Sequence, residues 1–429
     1  MKMLSTRYAI IGSGPAALFA AEAIRKRDAE GKLLMFGAEG YPPYSRPLTS
    51  YYLAGLVPKE KLFLRTADFY RQKKIEFIAA KVTEVKGKEK ILAYQPLNEK
   101  EKGEVAQTQA VRFEKLLIAS GADPVKPDIP GINMEGVYTL RTIADAEAIA
   151  QRAGKGKRAL LLGGGLVSLK AAYALHKLGL EIALVVSSNR ILSQMLDKEG
   201  AEIVAARLAE NGLVMHFQSD VREIHGNGAG VKWVTLADGR ELETDLVLVG
   251  KGVKPVTSFL EGSGLAVENG IPTGEQLQTN LPDIYAAGDV ALCRDMVLMK
   301  PANNALWPSA AEQGEIAGAN MSGEQLSYSG SIRMNATDFF GLPVIAAGLG
   351  TVQRGEGTPW EIYQVQFPRH AQKREPRYLK LVFQEERLAG YVFIGENRKA
   401  GMLTGLITGR QPLSRDRKER LINGDLSYL

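Results

Sequence analysis

The feature that most constrains this chain is a unit that occurs twice: apolar strand, glycine turn, helix, apolar strand. Residues 7–39 run from the strand RYAIIG through a glycine turn into the helix PAALFAAEAIRKRD, then into the strand KLLMFG. Residues 157–187 repeat the order with KRALLLGG, the helix LVSLKAAYALHKLG and the strand EIALVVS. Each first strand is a continuous apolar run, as a parallel strand covered on both faces requires. Each helix opens at glycines and spaces apolar residues at i, i+3 and i+4. Two such units predict an α/β chain built on two dinucleotide-binding, Rossmann-like folds.

Composition bounds the rest. At one domain per ~150 residues, 429 residues suggest about three domains. A chain that is 45% hydrophobic and 24% charged has ample material for large cores. Cys293 is its single cysteine, so no intramolecular disulfide forms and no mechanism uses two thiols of one chain. The four histidines are scattered without metal-ligand spacing, and no metal site is expected. Lysine and arginine number 54 against 48 acids, a net charge of +6, and the two signs are interleaved. That balance fits docking to an acidic partner and argues against nucleic acid. With no run of 18 apolar residues and no leader-like segment at the start, the expectation is no membrane span and a cytoplasmic location.

Between the glycine units the texture is β. Residues 81–117 predict a meander with a charged tip at Asn98–Glu104, and residues 214–250 a second one with NG and DG turn signals. From about residue 326 the glycine pattern stops. Residues 377–395 predict two strands around an acidic turn and residues 398–411 a short helix, together an α+β domain.

Gly12-Ser13-Gly14-Pro15-Ala16-Ala17 is GxGxxA between strand and helix. Gly12 permits the tight turn, and Gly14 lets a pyrophosphate approach the helix N-terminus, where unpaired N–H groups and the dipole stabilise its charge. Glu39, at the end of the next strand, stands where an acid accepts from an adenosine ribose; a solvated surface role is the rival. The second turn is Gly163-Gly164-Gly165-Leu166-Val167-Ser168. Here the ribose acid is missing. Val186 fills its slot, followed by Ser187, Ser188 and, two residues on, Arg190, a set that accommodates a 2′-phosphate. The expected coenzyme is NADH or NADPH, leaning to NADPH or dual use; Arg190 as a plain surface residue is the other reading.

The third element is TNLPDIYAAGDVA, residues 279–291. With it the chain resembles the two-dinucleotide-binding-domain flavoproteins of the pyridine nucleotide-disulphide oxidoreductase superfamily. The resemblance covers essentially the whole chain and implies FAD. It places Gly288 and Asp289 at the flavin, with Asp289 accepting from the ribityl chain. Ala119, Ser120 and Gly121 resemble the family's ATG crossover, and Arg141 the arginine that approaches FAD. Trp307 and Pro308 open the helix whose N-terminus faces the flavin pyrimidine. Arg46, Ser50 and Val82 join the implied FAD set, and Gly250 the implied NAD(P) set. The implied domains are FAD binding at 1–115 and 248–325, NAD(P) binding at 116–247, and a C-terminal interface domain at 326–429, a possible homodimer contact.

Departures from the family are as informative. In Tyr44–Tyr52, Pro47 sits where related coenzyme A-disulfide reductases and NADH oxidases hold a redox cysteine. Cys293 reads as a bystander. The same stretch resembles YxRPPLSK of ferredoxin and rubredoxin reductases, whose lysine slot is Ser50 here and whose paired glutamate slot is Lys170. Lys170 is thus either a relocated cation near flavin N5 and the nicotinamide, or a lysine snorkelling to solvent. The expected function is hydride exchange between NAD(P)H and FAD, with electrons passed to or from an iron–sulfur, ferredoxin-like protein or rubredoxin. This could occur within a larger redox assembly. Rival readings are a cysteine-free NAD(P)H oxidase or peroxide-reducing flavoenzyme, and a FAD-binding structural or signalling protein with vestigial redox activity.

Overall fold

The computed structural model describes residues 4–97, 107–352, 359–367, 377–395 and 398–423. The charged tip at Asn98–Glu104 lies outside them. The chain forms two compact units: Met1–Leu48, Val57–Asp123 and Val253–Ser331 make the first, and Thr49–Leu56, Pro124–Gly252 and Ile332–Leu429 the second.

The first unit is built on the first glycine repeat. Strand Leu4–Ile11 pairs in parallel with Leu33–Gly37 on one side and Gln109–Ile118 on the other. Leu33–Gly37 also lies parallel to Ile75–Lys86, which leads into the expected meander through Ile91–Pro96 and Gln109–Ile118. Strand Ile284–Ala286, a late segment, adds in parallel to Gln109–Ile118. Tyr8–Ile10 and Leu33–Phe36 are buried along their length, as the unbroken apolar runs require. Helix Pro15–Arg27 meets helix Trp307–Met321 at very close range. A Cβ on Gly314 would lie 2.2 Å from the Ala16 carbonyl, and one on Gly318 2.4 Å from that of Ala20. Only glycine allows that approach.

The second unit holds a five-stranded parallel sheet in the order Val214–Phe217, Glu181–Val186, Arg158–Leu162, Leu246–Val249, Val137–Tyr138. A three-stranded antiparallel ribbon, Val221–Asn227, Gly230–Leu236 and Glu241–Glu243, precedes its fourth strand in sequence. The C-terminal segment forms an antiparallel sheet of five strands, with Arg377–Gln384 and Arg387–Ile394 turning at Glu385–Glu386, and helices Ala400–Thr408 and Arg415–Ile422. Leu169, Leu184, Phe339, Tyr378, Val392 and Leu53 share one core. Within it is a buried charge pair. Lys380 Nζ lies 3.0 Å from Asp197 Oδ2, Tyr378 donates to the same carboxylate at 2.5 Å, and Asp197 caps helix Lys198–Glu210. No described helix is long and apolar enough to cross a membrane.

Candidate functional site

In the first unit the glycine turn is forced by its surroundings. Gly12 has φ +123°, and a Cβ there would lie 2.0 Å from the Ala119 carbonyl oxygen. Gly14 differs: its backbone is extended, and an added Cβ would meet nothing within 4 Å. Gly12 is thus required by the fold, whereas the space beyond Gly14 is open to a ligand. Pro15 opens the helix, where its missing N–H costs nothing. Ala16 and Ala17 are buried.

Glu39, the acid expected at the ribose, is organised rather than solvated. Glu39 ion-pairs with Arg46, accepts a hydrogen bond from Tyr44 at 2.5 Å, and Arg46 lies 5.3 Å from the Tyr44 ring centroid. Burial works against the Arg46 charge, but Tyr44, Glu39 and Asp289 outweigh it and hold the guanidinium pKa above its ordinary value. Asp289 is thereby placed near Arg46. The crossover is tied down as well: Ser120 Oγ donates to the Val256 carbonyl at 2.8 Å, and Gly121 accepts from the Val256 N–H at 3.0 Å. Gly288 opens the short 3₁₀ turn through Val290 and donates to Gln313 at 2.8 Å. Val82 is buried in the core, paired with Tyr94 in the meander.

Three helix starts share a property. Those at Gly14, Gly165 and Leu306 carry no side-chain cap, whereas Thr142, Asp197 and Ser414 cap the helices that follow them. Ala400–Thr408 and the six-residue helix Ala67–Gln72 are also uncapped; the first has an αR cap residue, whereas the second follows an extended Thr66. Uncapped first-turn N–H groups need another acceptor, and an anionic cofactor supplies one. Trp307, at the third of these starts, buries its indole N–H without a hydrogen-bond partner and packs edge-on against Phe19 at 5.7 Å. The residues present therefore fit a bound FAD.

In the second unit Gly163 has φ +112°, and a Cβ there would lie 2.5 Å from the Gly250 carbonyl; Gly165, like Gly14, faces open space. Ser168, the small third residue, is fully buried against Gly250. Leu166 begins the helix and Val167 is exposed on its first turn. Val186 is buried, so its side chain serves the core. Ser187 Oγ donates to Asp220 at 2.9 Å and accepts from Lys251 Nζ at 2.6 Å, and Lys251 ion-pairs with Asp220. Ser188 donates to the Arg190 carbonyl at 2.6 Å, while the Arg190 guanidinium donates to the Leu196 carbonyl and to Asn189, both at 3.3 Å. Asp220 and Lys251 were not visible in the sequence, because they follow other strands of the sheet.

Ser50 and Arg141, expected with the FAD set, belong to this second unit. Ser50 is buried in helix Thr49–Leu53, and the Arg141 N–H donates to Asp145 in the capping box of helix Ile143–Arg152. Lys170 lies beside Ser50's neighbour, with Nζ 5.4 Å from the Tyr51 ring centroid. It has no ion-pair partner among the described residues, and burial pulls its pKa below the ordinary lysine value. Cys293 is buried, and burial raises its thiol pKa to about 11 even though Thr273 contacts it.

Two glycine turns, each following a strand paired in parallel on both sides, with the later Gly288-Asp289 turn and an uncapped helix, define a two-dinucleotide flavoprotein. The chain belongs to the pyridine nucleotide-disulphide oxidoreductase family, whose profile matches residues 6–314, and by class it is an FAD-dependent NAD(P)H oxidoreductase. It is 32% identical over 412 residues to the NADH-dependent phenylglyoxylate dehydrogenase subunit epsilon of Aromatoleum evansii, covering 95% of this chain and 93% of that one. To a probable ferredoxin reductase of Castellaniella defragrans it is 31% identical, covering 74% and 76%. Among solved structures, a NAD-dependent persulfide reductase from A. fulgidus aligns with a TM-score of 0.85 at 26% identity, covering 96% of this chain and 78% of that one.

Proposed function

We propose that this chain exchanges hydride between NAD(P)H and FAD and passes the electrons to, or takes them from, an iron–sulfur protein, with no thiol in the path. One observation carries the reading: the only thiol is Cys293, which is buried with its pKa pushed up to about 11; by its resemblance to thiol-using relatives the chain has Pro47 in their cysteine's place. A thiol with that pKa is protonated at neutral pH and is no nucleophile. Bound FAD supplies a centre that accepts two electrons as hydride and gives them up singly, which matches an iron–sulfur acceptor.

The chain's own groups hold and orient. The Gly14 turn and the Trp307 helix start offer N–H donors to FAD, and Asp289 and Glu39 offer acceptors to its hydroxyls. The Gly165 turn takes the coenzyme pyrophosphate. Lys170 is the cation that accompanies hydride transfer. The named ferredoxin reductase supports this acceptor class, and the dehydrogenase subunit supports operation inside a larger assembly, with NADH as the coenzyme in that relative.

The test is anaerobic turnover of purified FAD-loaded protein with NADH or NADPH and a ferredoxin or rubredoxin, compared with oxygen, peroxide and coenzyme A disulfide. The expected outcome is faster reduction of the iron–sulfur protein, unchanged in Cys293→Ser. Faster reduction of oxygen or peroxide would favour the oxidase reading. A flavin that neither coenzyme bleaches would favour a vestigial one.

A further inference from the structure

We infer that Asp220 and Lys251 read the 2′ position of the coenzyme's adenosine ribose, replacing the acid that the strand end lacks. This rests on the reading of the second glycine turn as the NAD(P) site. In open α/β sheets ligands bind outside the carboxyl ends of the strands. Ser187, Asp220 and Lys251 all leave that edge: Ser187 directly follows strand Glu181–Val186, Asp220 lies three residues past Val214–Phe217, and Lys251 two past Leu246–Val249. Glu181–Val186 and Leu246–Val249 flank Arg158–Leu162, which runs into the Gly163 turn, and Val214–Phe217 lies next beyond Glu181–Val186. Residues from three strand ends therefore converge beside one turn.

The local alternatives are already committed. Val186 points into the core, and the Arg190 guanidinium is bonded to the Leu196 carbonyl and to Asn189. Asp220, by contrast, is half exposed at 51%, and both hydrogen bonds to its carboxylate fall on Oδ1. Oδ2 has no hydrogen-bond donor among the described residues, so it is placed to accept from a ribose hydroxyl. Beside Asp220 in sequence, Ser219 Oγ is buried without a partner. Lys251, 22% exposed, is the cation that meets a 2′-phosphate.

The pair sets selectivity by mutual neutralisation. A 2′-phosphate gains attraction from Lys251 and suffers repulsion from Asp220; a 2′-hydroxyl gains an acceptor in Asp220. Specificity is the difference between two affinities, and while both residues are present neither coenzyme is strongly rejected. Removing one partner unmasks the other.

The test uses the FAD-loaded protein and calorimetric binding of ADP-ribose and 2′-phospho-ADP-ribose at one fixed ionic strength, alongside KM for NADH and NADPH. Wild type is expected to bind the two within about tenfold of each other. Asp220→Asn should shift the ratio about tenfold or more toward the 2′-phosphate, and Lys251→Gln about tenfold or more the other way. The NADPH to NADH KM ratio should move in parallel. If both variants bind both ligands in the wild-type ratio, the inference is overturned while the NAD(P) site stands. A shift produced by Arg190→Gln and by neither of the others would also overturn it. Failure of wild type to bind either ligand would overturn the coenzyme reading, and this inference with it.

Discussion

The Glu39 carboxylate is held by two partners at once, the Arg46 guanidinium and the Tyr44 hydroxyl. Glu39→Gln removes the charge that Arg46 faces and half of the acceptor capacity at this point. A charge-assisted hydrogen bond contributes about 1.5–3 kcal/mol, so FAD binding should weaken roughly ten- to a hundredfold. Fluorescence of released flavin on dilution measures this. Wild-type retention would mean that Glu39 serves Arg46 and not the cofactor.

Gly12 and Gly14 look alike in the motif and should fail differently. Gly12→Ala sets a Cβ against the Ala119 carbonyl at a positive φ, and should cost roughly 3 kcal/mol or more, at the upper end for single changes. Thermal unfolding reads that loss. Gly14→Val meets no protein atom within 4 Å, so the chain should fold normally by circular dichroism and yet purify largely colourless. A stable, fully yellow Gly14→Val protein would remove the pyrophosphate from this turn.

Lys170 is a partly buried ammonium with an aromatic ring as its neighbour. Its folded pKa lies below its unfolded value of 10.5, so the unfolded chain binds more protons between the two. Stability therefore rises with pH across that window, and the desolvation cost is present in full below the folded pKa. Lys170→Met should raise the melting temperature at neutral pH while slowing flavin reduction by NAD(P)H in stopped flow. If Lys170→Met and Lys170→Glu both reduce at the wild-type rate, the lysine is part of a helix face and no more.

The Asp197–Lys380 pair predicts an acid-sensitive fold. Burial alone would raise the Asp197 pKa, but Tyr378 and Lys380 reverse this and hold it below 3.8. Its contribution is complete above the unfolded pKa and is lost as pH falls through the lower folded one. Lys380→Met leaves a buried carboxylate without its cation and should cost roughly 3–5 kcal/mol. Chemical denaturation at pH 7 measures the loss. The variant should also lose less stability than wild type as pH drops below 4.

What the sequence made legible was local. Strand, turn and helix around Gly12 and Gly163 follow from a few neighbouring residues, and the structure places them as expected. So does the 81–117 meander, whose antiparallel pairing runs from Ala80 to Arg112. The Ser187–Asp220–Lys251 cluster of the second unit was hidden because it is assembled across strand ends: Asp220 is 33 residues from Ser187, and Lys251 is 64. No spacing rule reports a contact of that kind. The side of the chain on which Ser50 falls was hidden for a related reason. Helix Thr49–Leu53 sits between first-unit segments in sequence but packs Leu53 into the second unit's core, and only tertiary burial decides that.

An FAD seated at the uncapped helix starts of Gly14 and Leu306 would make this protein's lifetime depend on vitamin supply. Their first-turn amides are satisfied best when an anionic cofactor arrives, so cofactor binding and folding free energy are linked. A ligand present at a thousand times its dissociation constant adds about 4.1 kcal/mol, a sizeable share of what holds a typical domain together. Chains made in a riboflavin-poor cell would therefore be the first to open and to meet proteases, and the amount of this enzyme would follow the flavin pool without any change in transcription.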